Sequence, residues 1–271
     1  MPFTTRALTA LVLSFAAAAN VVAASASDPL AAAIANPSRT PKHVARDVYR
    51  HPSETLRFFG LRPNQTVVEI WPGGGWYTEI LAPYLRDQGQ YYAAIEGGDS
   101  REAKDDEAAL RKRVADDTTH FGKVNITKLA PPKETGICPP GTADVVLTFR
   151  NVHNWLAAGT QDAQFAAFFK ALKPGGVLGV VEHRAKPGTS MDVMKKSGYV
   201  DEAYVKTLAA KAGFKFEAES PINNNPKDTK DYTEGVWTLP PTLALGDKDK
   251  DKYLAIGESD RMTLKFVKPA T

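Results

Sequence analysis

Glu69 and Glu96 each close an apolar run, and three glycines, Gly73, Gly74 and Gly75, follow the first of them in "TVVEIWPGGGWYTEIL". Glycines between a strand and a helix let the backbone approach a ligand closely and aim helix N–H groups at it. Glu96 ends the next apolar run, "QYYAAIE". A carboxylate there can take the two ribose hydroxyls of a nucleoside cofactor. A second cluster is "FRNVHNW", which sets Arg150, Asn151, His153, Asn154 and Trp155 directly after a buried-strand pattern. Imidazole exchanges protons near neutral pH as a class, so His153 is the candidate general base and its polar neighbours are candidates for substrate orientation. The same residues also suit a helix-capping turn with one packed histidine. A third cluster, Glu182, His183 and Arg184, ends another apolar run. Strand neighbours alternate faces, so His183 points opposite to Glu182 and Arg184 unless the strand has already ended.

Alternating strand and helix patterns must position these clusters, the mark of an α/β sheet. The patterns predict strands at 66–71, 90–96, 123–129, 143–149, 177–184, 215–220 and 262–269. Helices are expected at 76–85, 101–117, 160–173 and 201–214, the third stopped by "PGG". Residues 27–65 read as an N-terminal helical cap with a break at Pro52. Tyr49, Arg50 and His51 lie in it. Residues 221–261 form a long excursion before the last strand, of the kind that serves as a lid or substrate wall. Ser259, Asp260 and Arg261 end it and can close the far side of a pocket.

The 271 residues suffice for one large domain. A net charge of +3 with no Lys/Arg-rich tract argues against a nucleic-acid partner. The start of the chain reads as a cleaved signal peptide, residues 1–26: Arg6, an Ala-rich apolar run, then "ASA" at Ala24–Ala26. Cleavage after Ala26 implies a periplasmic or secreted protein with no stable membrane insertion. Cys138 is the single cysteine, so an intramolecular disulfide is excluded. The five histidines show no tight metal-ligand spacing, and a His153/Glu182/His183 metal site is the lesser reading.

"VVEIWPGGGW" with "AAIE", "ADVVLTFRNVHNW" and "LKPGGVLGVVEH" resembles a class I S-adenosylmethionine-dependent methyltransferase, over about residues 60–220 plus the last strand. "YRHP", "WPGGGWYTE", "FRNVHNW" and "GESDRM" resemble more closely a group of exported bacterial proteins called predicted methyltransferases. The resemblance implies a Rossmann-like seven-stranded sheet in the order 3-2-1-4-5-7-6, strand 7 antiparallel, with helices on both faces. It implies that Glu69, Gly73 and Gly75 hold the methionine end of S-adenosyl-L-methionine, that Glu96 holds the ribose, and that Asn151 faces the transferable methyl. It makes Tyr49 and His51 of the cap candidates for the substrate side, with Arg150, Asn154, Trp155, Arg184 and Arg261, and His183 a second catalytic candidate. One departure is plain: Trp71 stands where the first loop glycine is usual.

The expected function is therefore methyl transfer to a small-molecule acceptor. The alternative is an exported, non-catalytic small-molecule-binding protein on the same scaffold. "WPGGGW" is not G-x-G-x-x-G, which disfavours a nicotinamide-dependent oxidoreductase, and "GESDR" is not the hydrolase elbow.

Overall fold

The computed structural model describes Met1 and residues 28–270. The signal-peptide reading of residues 1–26 therefore lies outside the described residues. Seven strands, β1 (Thr66–Ile70), β2 (Gln90–Glu96), β3 (Val124–Leu129), β4 (Ala143–Phe149), β5 (Leu172–His183), β6 (Lys215–Ser220) and β7 (Arg261–Val267), form one sheet. Its order is β3-β2-β1-β4-β5-β7-β6. β7 runs antiparallel to both of its neighbours, and the remaining pairs are parallel. This is the expected topology.

β-branched and aliphatic runs make the central strands, because parallel strands covered on both faces must be apolar on both. Val145, Val146 and Leu147 of β4 are all essentially inaccessible. One face packs on helices α1 (Pro29–Ile34), α4 (Pro52–Phe58) and α5 (Thr78–Leu85) through Leu56, Phe59, Ile80 and Leu81. The other packs on α8 (Val152–Ala158), α9 (Gln161–Ala171), α10 (Met191–Ser197) and α11 (Glu202–Lys211) through Trp155, Phe165, Phe168 and Leu208. Each fully buried aromatic of this kind contributes roughly 1.5–3 kcal/mol. Gly179 fixes the seat of the cap. A Cβ there would lie 2.8 Å from Phe59 and from Leu147, so only glycine lets the cap lie flat on β5. Short helices α2 (Pro41–Val44) and α3 (Asp47–Arg50) complete the cap, α6 (Arg101–Asp116) and α7 (Thr118–Phe121) lie between β2 and β3, and α12 (Lys250–Ile256) belongs to the excursion.

Several local expectations differ from the structure. The helix expected from residue 76 starts at Thr78, because Gly73 and Gly75 hold left-handed turns up to it. "LKPGG", expected only to stop a helix, already belongs to β5, with a register shift opposite Ala143–Val145. α8 and α10 were not expected as helices. The first starts inside the polar "RNVHN" stretch, and the second is a single short amphipathic segment closed by left-handed Gly198. No described helix is long and apolar enough to cross a membrane.

Candidate active site

The carboxyl ends of β1, β4 and β5 open on a cavity of about 300 Å³. Its floor is Glu69, Phe149, Arg150 and Asn151, and the glycine turn contributes Gly73 and Gly74. Arg46 and Arg50 reach it from the cap, and Val236, Trp237, Pro240 and Thr242 from the excursion. A second hollow of about 190 Å³ adjoins it across Trp71, Pro72, Gly73 and Asn151 and ends at Glu96, Glu102 and Asp106. The glycine turn thus lies between two adjacent hollows.

At the turn the backbone is what matters. Gly73 has φ +53 and Gly75 φ +78, and a side chain on Gly74 would meet no atom within 4 Å. That open space belongs to the cavity wall. Trp71 adopts φ +46, a left-handed conformation rare for an aromatic residue. The chain has therefore replaced the usual first glycine while keeping the glycine's backbone. The indole is drawn aside: Nε1 donates to Leu129 O at 3.0 Å, and the ring packs edge-on against Trp155 at 5.8 Å.

Glu69 is buried, and its Oε2 accepts hydrogen bonds from Tyr91 and, at 3.1 Å, from Thr78. Burial pushes its carboxyl up to about 7, against the pull of those hydrogen bonds and of Arg50. An acid raised in the folded state weakens folding as pH rises from 4.5 through 7, because the unfolded chain then ionises more readily. We expect Glu69→Gln, whose carbonyl can still accept both bonds, to stabilise the protein by roughly 1–3 kcal/mol at pH 8.5 and to be neutral at pH 5. Chemical denaturation at the two pH values checks this, and equal effects at both would show that Glu69 is not held protonated.

His153 sits on the first turn of α8, directly over the tip of β5. Its Nδ1 lies 3.0 Å from Glu182 Oε1, and its backbone N–H donates to Glu182 Oε2. Glu182 is wholly buried and also accepts from the His183 N–H at 2.8 Å. A carboxylate accepts, so Nδ1 of His153 carries the proton and Nε2 keeps its lone pair. No described residue bonds that Nε2, and His153 lines the cavity. His183 also lines it, with Nδ1 2.5 Å from Ser259 Oγ. Burial, then His153 and the arginines nearby, pushes His183 well below the usual imidazole range, so it stays neutral. Ligand-type atoms of His153, Glu182 and His183 fall within 4.8 Å of one another, although Glu182 is already engaged by hydrogen bonds.

Three arginines pair with one acid beside these histidines, and a fourth, Arg150, lines the same cavity. Arg46 Nε donates to Glu258 Oε1 at 2.5 Å, and Arg261 to Glu258 Oε2 at 3.1 Å. Arg50 lies 3.7 Å from that same oxygen, with its guanidinium 4.6 Å from the Trp76 ring centre. Arg150, on a left-handed backbone, is pushed down to about 10 by burial, with Arg261 the next contributor. Tyr77, stacked on Phe149, is pushed up to about 12 by burial.

The structure brings Glu69, Gly73, Gly74, Arg150, Asn151, His153 and His183 to the main cavity. Glu96 and Asn154 line the second hollow. Asn151 Nδ2 is spent on Ile70 O and Thr148 Oγ1, which ties the ends of β1 and β4 together. Other candidates lie elsewhere. Trp155 is wholly buried in the core, because α8 turns its far face to the sheet. Tyr49, His51 and Arg261 line a separate outer hollow of about 220 Å³, and Arg184 pairs with Glu202 and bonds Asn224. Gly75 faces a groove with Thr78 and Arg113. Arg46, Glu258, Trp76, Tyr77 and Trp237 were not singled out from sequence; the "GESDR" motif was the only pointer to Glu258.

No family model and no curated protein matches the chain. Solved structures do. An S-adenosylmethionine-dependent methyltransferase from Aquifex aeolicus superposes with TM-score 0.55 at 15% identity, covering 83% of this chain and 93% of that one. The chain has the class I methyltransferase fold. The methyltransferase fold is shared by the [4+2]-cyclase SpnF, with TM-score 0.53, 16% identity, and 82% and 81% of the two chains covered. A Haemonchus contortus phosphoethanolamine N-methyltransferase, in complex with S-adenosyl-L-methionine, gives 0.51 at 18% identity over 82% of this chain and 53% of that one.

Proposed function

We propose that the protein is an S-adenosylmethionine-dependent methyltransferase acting on a small-molecule acceptor. The observation that carries this reading is the pair of adjacent hollows that share the lining of one glycine turn. One ends in a carboxylate set, and the other holds an imidazole whose Nε2 is free. The residues present fit the cofactor. Glu96, Glu102 and Asp106 offer acceptors only, which suits the two donating hydroxyls of a ribose. Burial, then Glu102 and Asp106, pushes the Glu96 carboxyl up, and diol donors would relieve that crowding of like charge. Open space over Gly74 gives the backbone access to a ligand chain, and Glu69 at the cavity floor is a carboxyl suited to the ammonium of an amino-acid end.

When bound, the cofactor supplies an electrophilic methyl group. The chain's own residues do the rest. Asn151 fixes the distance between β1 and β4, the aromatic walls Trp76, Tyr77 and Trp237 exclude water, and His153 Nε2 takes the acceptor's proton. The imidazolium so formed is stabilised by Glu182, which already holds Nδ1–H. The resemblance in fold to a cyclase is a reminder that chemistry resides in the site. The alternative, a non-catalytic small-molecule binder, draws on the Trp71 substitution. Export to the periplasm or medium is part of the proposal, and N-terminal sequencing of secreted material tests it: a retained Met1 overturns it.

Calorimetry separates the readings. The protein is expected to bind S-adenosylmethionine and S-adenosylhomocysteine and not NAD. Glu96→Ala is expected to weaken both by about ten- to a hundred-fold, the worth of hydrogen bonds to a charged acceptor. An unchanged affinity would remove Glu96 from the ribose site. Tight binding without turnover on any acceptor would favour the binder.

A further inference from the structure

The arginine recess of the main cavity holds more positive charge than the protein itself neutralises. Arg46, Arg50 and Arg150 all line it. Glu258 is the one acid paired with the group, and its two oxygens are already shared by Arg46, Arg261 and, at 3.7 Å, Arg50. Glu69, the other carboxyl at the floor, is pushed up to about 7 by burial, so it carries only part of a charge near neutral pH, and its Oε2 is already bonded by Tyr91 and Thr78.

The guanidiniums are short of partners. Arg50 is 2% exposed, yet no hydrogen bond reaches its guanidinium from any described residue, and its Nε is fully occluded. Arg46 leaves its NH2 group occluded and unbonded. Arg150 makes neither an ion pair nor a side-chain hydrogen bond among the described residues, and its nearest charged influences include other arginines. Burying a guanidinium without a hydrogen-bonded counter-charge costs several kcal/mol, so buried Arg50, whose nearest carboxylate is 3.7 Å away, and half-buried Arg150, which pairs with no acid among the described residues, mark a site awaiting an anion. Arginine's fork of donors matches an oxyanion bidentately.

We propose that this recess binds the oxyanion group, phosphate or carboxylate, of the small molecule on which the enzyme acts. The two histidines flank the same cavity, so a molecule anchored by its anionic end on Arg50 and Arg150 presents its body to His153 Nε2. Trp76, Tyr77 and Trp237 form the walls around that body. The size of the cavity, about 300 Å³, limits the ligand to a compact molecule and excludes a polymer chain. The acceptor role rests on the methyltransferase reading; the anion site does not.

Calorimetry with inorganic phosphate and with malonate, on the full chain without nucleoside, tests the site. Both probes report the shared oxyanion chemistry, and the tighter one tells phosphate from carboxylate. Binding of at least one at millimolar concentration or tighter is expected, weakened about ten- to a hundred-fold in Arg150→Gln and largely kept in Arg150→Lys. S-adenosylhomocysteine affinity is expected to be unchanged in Arg150→Gln. Glu96→Ala is expected to lose the nucleoside and keep the anion. Anion binding that survives when nucleoside binding is absent altogether leaves the recess standing and removes only the methyl-transfer reading. Absence of binding by both anions in the wild-type chain overturns the proposal. So does an equal loss of phosphate and S-adenosylhomocysteine in Arg150→Gln, which would assign the recess to the cofactor's own carboxylate. Arg50→Gln, with the same expected loss of anion binding and unchanged S-adenosylhomocysteine affinity, provides a second variant if Arg150→Gln does not fold.

Discussion

Replacing His153 with alanine is expected to lower methyl transfer by about 10²–10⁴-fold, the usual worth of a positioned general base. The reason lies in how completely the ring is held. Glu182 fixes it at two points, through Nδ1 and through the backbone N–H, and is itself wholly buried. The ring therefore has one tautomer and one free nitrogen, and that nitrogen borders the cavity. The loss should fall on kcat, with the dissociation constant of S-adenosylhomocysteine unchanged, because Glu96 and the glycine turn remain. Glu182→Gln should give a smaller fall in the same parameter, since an amide can still accept from Nδ1 but cannot balance an imidazolium. Release of S-adenosylhomocysteine with any acceptor that turns over measures both. A kcat within threefold of wild type for His153→Ala would assign the proton transfer to another group, and added imidazole restoring the alanine variant would support the role.

Glu258→Gln is expected to destabilise the fold by about 3–5 kcal/mol, the cost of leaving buried charge uncompensated. Glu258 is 4% exposed and, among the described residues, is the only carboxylate touching Arg46, Arg50 and Arg261. Burial alone would raise its carboxyl, but Arg261, with Arg46 and Arg50, overcomes this and holds it at about 2. An acid depressed in the folded state contributes stability that is complete above the unfolded value near 4.5 and is lost as pH falls toward 2. The wild-type protein should therefore lose on the order of 3 kcal/mol across that window, and the Gln variant should lack this acid limb. Urea midpoints between pH 7 and pH 3 decide it. Parallel acid limbs in the two proteins would mean that Glu258 is not the group responsible.

The fold was legible because its strands are short apolar runs between glycine and proline punctuation, and because Glu69 and Glu96 close two of them. His153 and His183 were legible for a similar reason, as polar residues at the exits of buried strands. Strand alternation agrees with the structure: His183 lines the cavity while Glu182 and Arg184 do not. What alternation did not reveal is that Glu182 still reaches His153, because α8 begins right at the strand tip and His153 reaches over it. The Trp71 position showed in sequence only as a missing glycine, since sequence does not reveal φ, and its left-handed backbone emerged only from the structure. The arginine cluster was not legible at all. Arg46 and Glu258 are 212 positions apart, and no local spacing links them. "YRHP" and "GESDR" each stood out, but charge pairing across the molecule is decided by where the cap lands on the sheet, which in turn rests on Gly179 giving way to Phe59.

That long tie also sets a schedule. The cap residues are synthesised well before Glu258, Ser259 and Arg261, with Arg46 and Glu258 212 positions apart. Until they arrive, Arg46 and Arg50 have no counter-charge, His183 lacks its Ser259 partner, and Arg261 is not there to hold the Tyr49 carbonyl. The nascent chain can lay down β1 to β4 with their glycine turn, but it cannot close the recess. Competence to hold a ligand is thus deferred until Glu258, Ser259 and Arg261 have been made, and a chain stopped short of them carries a pocket with no wall on one side.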